Sequence, residues 1–147
     1  ITQFAEAYKS NYIDETNEAL YPFGFGLSYS QLEYKDLKIL NPTLKKSQPL
    51  QVQITVTNLS DRDCFETVQL YIRDLVAQTA RPVKELKAFK KLLLKAGESR
   101  LVEISLSSDE LGYYNWNNDY QVDAGLFDLW VGPNCKAEAS AQFRLED

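Results

Sequence analysis

Three stretches of the chain alternate apolar and polar residues with a strict period of two. Leu50, Val52, Ile54 and Val56 alternate with Gln51, Gln53, Thr55 and Thr57. Val68, Leu70 and Ile72 alternate with Thr67, Gln69 and Tyr71, and Val102, Ile104 and Leu106 with Leu101, Glu103 and Ser105. Successive side chains of a strand point to opposite faces, so this spacing writes one buried and one outward face, and a helix cannot use it. A sheet with one apolar face has to bury it on another layer. The rest of the sequence after Gln31 supplies that layer: Leu32, Tyr34, Leu37 and Ile39 mark a first strand whose alternation slips near Asp36, as at a bulge, and Asn41-Pro42 closes it. Asn58 to Asp63 is a polar turn, Leu86 to Leu94 a strand reversed at Ala96-Gly97, and Ser107 to Leu111 a helical turn capped by Ser108 or Asp109. Tyr113 to Trp116, Leu126 to Val131 and the alternating Ala137, Ala139, Ala141, Phe143 and Leu145 complete the count. The expectation is an all-β, immunoglobulin-like β-sandwich of about seven strands, with an irregular arm before it.

That arm ends in Leu20-Tyr21-Pro22-Phe23-Gly24-Phe25-Gly26-Leu27-Ser28-Tyr29, which is dense in aromatics yet broken by Pro22, Gly24 and Gly26. Proline removes a donor and the glycines weaken any regular element, so something else must fix this segment. It reads either as a core-edge loop of one domain or as a tether clamped between two.

Tyr12-Ile13-Asp14-Glu15 followed by Ala19-Leu20-Tyr21-Pro22-Phe23-Gly24-Phe25-Gly26-Leu27-Ser28-Tyr29 resembles the junction segment of family 3 glycoside hydrolases, above all the bacterial periplasmic β-glucosidases. Gln69-Leu70-Tyr71-Ile72-Arg73-Asp74, Arg81-Pro82-Val83-Lys84-Glu85-Leu86-Lys87-Ala88-Phe89, Lys95-Ala96-Gly97-Glu98-Ser99, Gly125-Leu126-Phe127 and Val131-Gly132 are similar to the pattern of their C-terminal fibronectin type III-like domain. The resemblance implies two parts: an inter-domain linker or tether over 1–29 and a fibronectin type III-like domain over 30–147. It implies docking on the catalytic domains of the same parent polypeptide through Tyr21, Phe23, Phe25, Tyr29 and Arg81. It also implies a periplasmic or secreted location and a parent that is a retaining, exo-acting β-glucosidase. The family's Ser-Asp-Trp nucleophile motif has no counterpart here: Ser60-Asp61-Arg62 and Ser108-Asp109-Glu110 carry the wrong third residue. The expectation is therefore an accessory domain with no catalytic, cofactor or metal residues.

Composition narrows the alternatives. The chain has 147 residues, a formal net charge of −5 and no histidine. Negative charge disfavours nucleic acid and anionic membrane as partners, and missing histidine removes the commonest general base and metal ligand. No apolar run approaches the ~20 residues of a spanning helix. A start at Ile1 and a sequence without Met suggest a mature or excised fragment.

Several features carry competing readings. A glycosidase needs two carboxylates about 5–9.5 Å apart across one cleft, whereas Asp14, Glu15, Asp61, Asp63, Asp74, Glu85 and Asp109 fall in turns or on outward positions, as solvated surface does. Arg73, Arg81, Lys84, Lys87, Lys90, Lys91 and Lys95 form a basic stripe: docking suits Arg81, and protection of an edge strand suits the later lysines. Tyr113, Tyr114, Trp116, Tyr120 and Trp130 read as core or interface aromatics, with Tyr113 or Tyr114 a corner tyrosine. They would alternatively make the sandwich a carbohydrate-binding module, and a protein-interaction module is the other rival. Asn58-Leu59-Ser60 fits a glycosylation acceptor. For Cys64 and Cys135 two free thiols are expected; a bridge is the alternative, given that the periplasmic resemblance implies an oxidising compartment and that their loops fall at one end of such a sandwich.

Overall fold

The computed structural model describes residues 31–75 and 84–147. In chain order these form β1 (Leu32–Ile39), β2 (Thr43–Lys45), β3 (Leu50–Asn58), β4 (Cys64–Asp74), β5 (Glu85–Leu94), β6 (Ser99–Leu106), a 3₁₀ turn (Ser108–Leu111), β7 (Tyr113–Tyr114), β8 (Tyr120–Gln121), β9 (Gly125–Gly132) and β10 (Ala139–Glu146). Seven of these strands have eight residues or more, which matches the expected number; β2, β7 and β8 are short additions. β1-β3-β6 make one sheet and β2-β10-β9-β4-β5 the other, while β7 and β8 pair only with each other.

Parity decides what lies between the sheets. Leu50, Val52, Ile54 and Val56 of β3, Val102, Ile104 and Leu106 of β6, and Val68, Leu70 and Ile72 of β4 all lie within the core. Phe127 and Phe143 stack beside them with ring centroids 5.1 Å apart. Burying each such side chain contributes about 1.5–3 kcal/mol before conformational entropy is set against it.

The slip in β1 is real: its register with β3 shifts between Lys35 and Lys38, and Asp36 takes a φ of 58°. At Asn41-Pro42 the first strand does not simply end. Asn41 accepts the Gln51 amide through Oδ1 (2.9 Å) and donates from Nδ2 to the Pro49 carbonyl (2.9 Å), so its side chain continues the ladder to β3. The backbone meanwhile crosses to the other sheet, where β2 pairs in parallel with β10 and the Pro42 carbonyl accepts the Arg144 amide (2.8 Å).

The helical turn is capped one residue earlier than the sequence suggests: Ser107 Oγ accepts the Asp109 amide. Ser108 is buried and donates its hydroxyl to the Lys46 carbonyl. Tyr113 is buried, but its hydroxyl binds the Asp123 carboxylate (2.5 Å); the backbone-carbonyl bond typical of a corner tyrosine is made by Tyr120, to Asp109.

Candidate docking face

The outer faces of the two sheets differ in chemistry. On β3 and β6 the outward residues are tied across the strands by polar side chains: Gln51 to Ser105 (3.1 Å), Gln53 to Glu103 (2.9 Å) and Thr57 to Ser99 (2.7 Å). Leu101 is the exposed large apolar residue there. On the five-stranded sheet, register places Phe65 opposite Leu93 and Gln69 opposite Phe89, so all four share the outward parity of β4 and β5. Phe65 and Phe89 are 65% and 68% exposed, and Leu93 42%. The Lys91 ammonium lies 5.2 Å from the Phe65 ring centroid. Exposed phenylalanines grouped on one sheet face are the composition of an interface core rather than of a solvated face.

Next to this patch the face is polar and tightly organised. Trp130 of β9 lies under two cations, Lys84 Nζ at 4.4 Å and the Arg73 guanidinium at 5.4 Å from the ring centroid. Arg73 also pairs with Asp128 at 2.5 Å, and Gln142 donates to the same carboxylate at 2.7 Å. Burial alone would raise the Asp128 pKa, but these hydrogen bonds and the Arg73 charge hold it below its ordinary value. Lys84 donates to the Cys135 carbonyl (2.9 Å), and burial lowers its pKa. The 133–137 loop folds back over β9 at Gly132, where a Cβ would meet that of Ala137 at 2.5 Å. Gln69 fastens the loop by donating to the Pro133 carbonyl (2.9 Å), with the Tyr71 hydroxyl donating to Gln69. Tyr71 and Gln69, expected to face solvent, are thus buried from the outside.

Tyr21, Phe23, Phe25, Tyr29 and Arg81 lie outside the described residues, as do Asp14, Glu15 and the arm. β5 is an edge of its sheet and carries Lys87, Lys90 and Lys91, as edge protection requires. Arg73 does not join the stripe; it serves the Trp130–Asp128 cluster. Asp61, Asp63 and Asp109 are exposed, and Glu85 pairs with Lys87 at 2.9 Å. Tyr114, Trp116 and Tyr120 are 63%, 81% and 49% exposed, so the core reading fails for them within this chain.

The structure decides two further readings: the glycosylation acceptor is not available, and the two thiols are free as expected. Asn58 is wholly buried, its amide engaged with the carbonyls of Arg62, Leu94 and Lys95, so the folded domain has no room for a glycan there. Cys64 and Cys135 are free thiols. Cys64 has the inward parity of β4, close to Tyr34, whereas Cys135 sits on the outer loop close to Tyr71 and Lys84, so the sheet itself separates them. The alternation also hid Glu66, a carboxylate on the inward parity of β4 that faces the Tyr34 phenol. Burial raises the pKa of both groups. Among the described residues no cluster of His, Cys, Asp or Glu could hold a metal ion, and no helix is long and apolar enough to cross a membrane.

Comparison with known proteins matches residues 66–135 to the fibronectin type III-like domain family. The chain is 34% identical over 138 residues to a periplasmic β-glucosidase of Salmonella typhimurium, covering 94% of the chain and 18% of that protein. It is 42% identical over 125 residues to an exo-α-(1→6)-L-arabinopyranosidase of Bifidobacterium longum, covering 82% and 16%. The crystal structure of a β-glucosidase from Listeria innocua in complex with glucose superposes with a TM-score of 0.83 at 36% identity, over 99% of this chain and 20% of that one. The chain thus spans less than a quarter of the length of the relatives it matches.

Proposed function

Because the chain belongs to the fibronectin type III-like domain family, in the form carried by family 3 glycoside hydrolases, we propose that it is the non-catalytic accessory domain of a β-glucosidase-like enzyme. It docks on the catalytic domains of the same polypeptide through the outer face of the five-stranded sheet and stabilises their arrangement. The observation that carries this reading is the lopsided coverage: 94% and 99% of this chain, but 18% and 20% of the enzymes. The relatives differ in the sugar they are named for, a glucosidase and an arabinopyranosidase, while sharing this domain. A mechanical role independent of the sugar accounts for that. The exposed Phe65, Phe89 and Leu93, beside a rigid cation–Trp130 cluster, supply the apolar centre and polar rim of an interface. Tyr21, Phe23, Phe25, Tyr29 and Arg81, carried over from the family's motifs, belong to the docking set in this reading as well. A periplasmic or secreted location is supported by the name of the Salmonella relative.

A second reading, that the domain also holds saccharide, is favoured by the exposed rings of Tyr114, Trp116 and Tyr120.

The test is the double substitution Phe65→Lys/Phe89→Lys, made both in this chain and in the full-length polypeptide that contains it. The expected result is an unchanged or raised melting temperature for the chain alone, and a lowered one for the full polypeptide together with weaker aryl β-glucosidase activity. Equal melting temperatures for substituted and parent full-length protein overturn the assignment of this face. Hydrolysis of an aryl β-glucoside by the purified chain alone overturns the accessory role.

A further inference from the structure

The β7–β8 hairpin belongs to neither main sheet, yet it is held more rigidly than a connecting turn requires. Asn115 Oδ1 accepts the amides of Asn117 (2.9 Å) and Asp119 (3.0 Å), and Asn115 Nδ2 donates to Gln121 (2.9 Å). Gln121 donates in turn to the Tyr113 hydroxyl (2.8 Å) and to Asp123. Asn118 supplies the left-handed residue at the tip, with φ 63°. The Tyr120 hydroxyl is anchored on the Asp109 carbonyl, and its ring fills the space in front of Gly112, where a Cβ would meet Cζ at 2.6 Å. Tyr114 packs edge-on against Tyr120 with centroids 5.2 Å apart. Trp116, two residues along, is 81% exposed. Tyr120, and Tyr114 against it, are thus held in position before any ligand arrives, which removes part of the ordering cost of binding, and Trp116 stands exposed beside them.

The surrounding chemistry selects the ligand. From Ser107 to Asp123 there is no lysine or arginine, while Asp109, Glu110, Asp119 and Asp123 are acidic, so nucleotides, phosphates and sulfated glycans are repelled. The exposed neighbours Asn117 and Asn118 offer neutral donors and acceptors beside the rings. A two-stranded hairpin with strands of two residues is small against the ~800 Å² per partner of a stable protein interface. A neutral, hydroxyl-rich ring with one apolar C–H face fits both the aromatic planes and the amides, and a glucopyranosyl unit with equatorial substituents presents such a face.

We propose that the β7–β8 hairpin is a saccharide-binding platform, on which Trp116 and Tyr114 stack the glucosyl units of a β-linked oligosaccharide while Asn117 and Asn118 hydrogen-bond its hydroxyls. The class of ligand rests on the glycoside-hydrolase reading above. The site lies on this chain and holds an oligosaccharide rather than reacting with it.

Calorimetric titration of the 147-residue chain with cellohexaose, laminarihexaose and, separately, hexalysine tests this. Saturable heat with either glucan is expected, weakened about tenfold or more in Trp116→Ala and partly restored in Trp116→Phe. Trp116 is exposed, so its replacement leaves the fold intact, which circular dichroism checks. No saturable heat with either glucan at 10 mM, equal binding by Trp116→Ala, or binding of hexalysine alone each overturns the proposal. Aryl β-glucosidase activity of the full polypeptide is measured alongside: activity without binding rejects only the platform, and binding without activity rejects only the glycosidase reading.

Discussion

The buried carboxamide of Asn58, at the end of β3, donates to the backbone carbonyl of Leu94, at the end of β5, at 3.2 Å. The same nitrogen reaches the carbonyls of Lys95 (3.2 Å) and Arg62 (2.7 Å), and the oxygen accepts from the Ser60 amide (3.0 Å) and hydroxyl (2.6 Å). One side chain thus joins the β3–β4 turn to the β5–β6 turn. Asn58→Asp turns donors into a buried anion facing carbonyl oxygens, and a loss of about 2–4 kcal/mol is expected by denaturant unfolding at neutral pH.

Glu66 governs the pH dependence of the core. Burial raises its folded pKa above that of the unfolded chain, outweighing the Tyr34 phenol and the Thr67 amide, which favour the anion. Below the unfolded pKa both states are protonated and no penalty exists. As pH rises through the interval up to the folded pKa, the unfolded state releases its proton first and stability falls, then levels off. Glu66→Gln is expected to raise the melting temperature near pH 7 and to leave it nearly unchanged near pH 4, as read by thermal scans at both values.

The two thiols differ in access, not in pairing. Cys64 is 9% exposed and Cys135 more so. Titration with a thiol reagent is expected to find one fast-reacting thiol in the native protein, lost in Cys135→Ser, and two per chain after denaturation without reductant.

Gly132→Ala places a methyl group within 2.5 Å of the Ala137 Cβ and forces the 133–137 loop to lift. The expected cost is about 1–3 kcal/mol. As the loop lifts, Lys84 loses its hold on the Cys135 carbonyl and moves off the Trp130 ring, which shifts the tryptophan emission of Trp116→Phe/Gly132→Ala relative to Trp116→Phe.

The alternating strands were legible because period two is a local property: β3, the inward face of β4, β6, and even the bulge at Asp36 can be read from neighbours in sequence. What failed depends on distant partners. β2 is three residues long, follows a proline, and exists only because β10 runs beside it. The burial of Tyr71 and Gln69 comes from a loop more than 60 positions away, through the bond between Gln69 and Pro133. Asn58 read as a turn former since amides usually are; its side chain instead serves carbonyls 36 and 37 positions on. Glu66 broke the rule that inward positions are apolar, and nothing adjacent in sequence marks it. Of the docking residues named from the resemblance, none falls in the described part, while the face that presents Phe65 and Phe89 emerges only once β4 and β5 are laid in register.

The parallel pairing of β2 with β10 has a mechanical meaning. Tension that draws β2 toward its start and β10 toward its end pulls the two strands in opposite directions along their common axis, because Thr43 faces Arg144 and Lys45 faces Glu146 in a shared direction of travel. The load then falls on all rungs of that ladder together, in shear, and no single bond can be peeled off first.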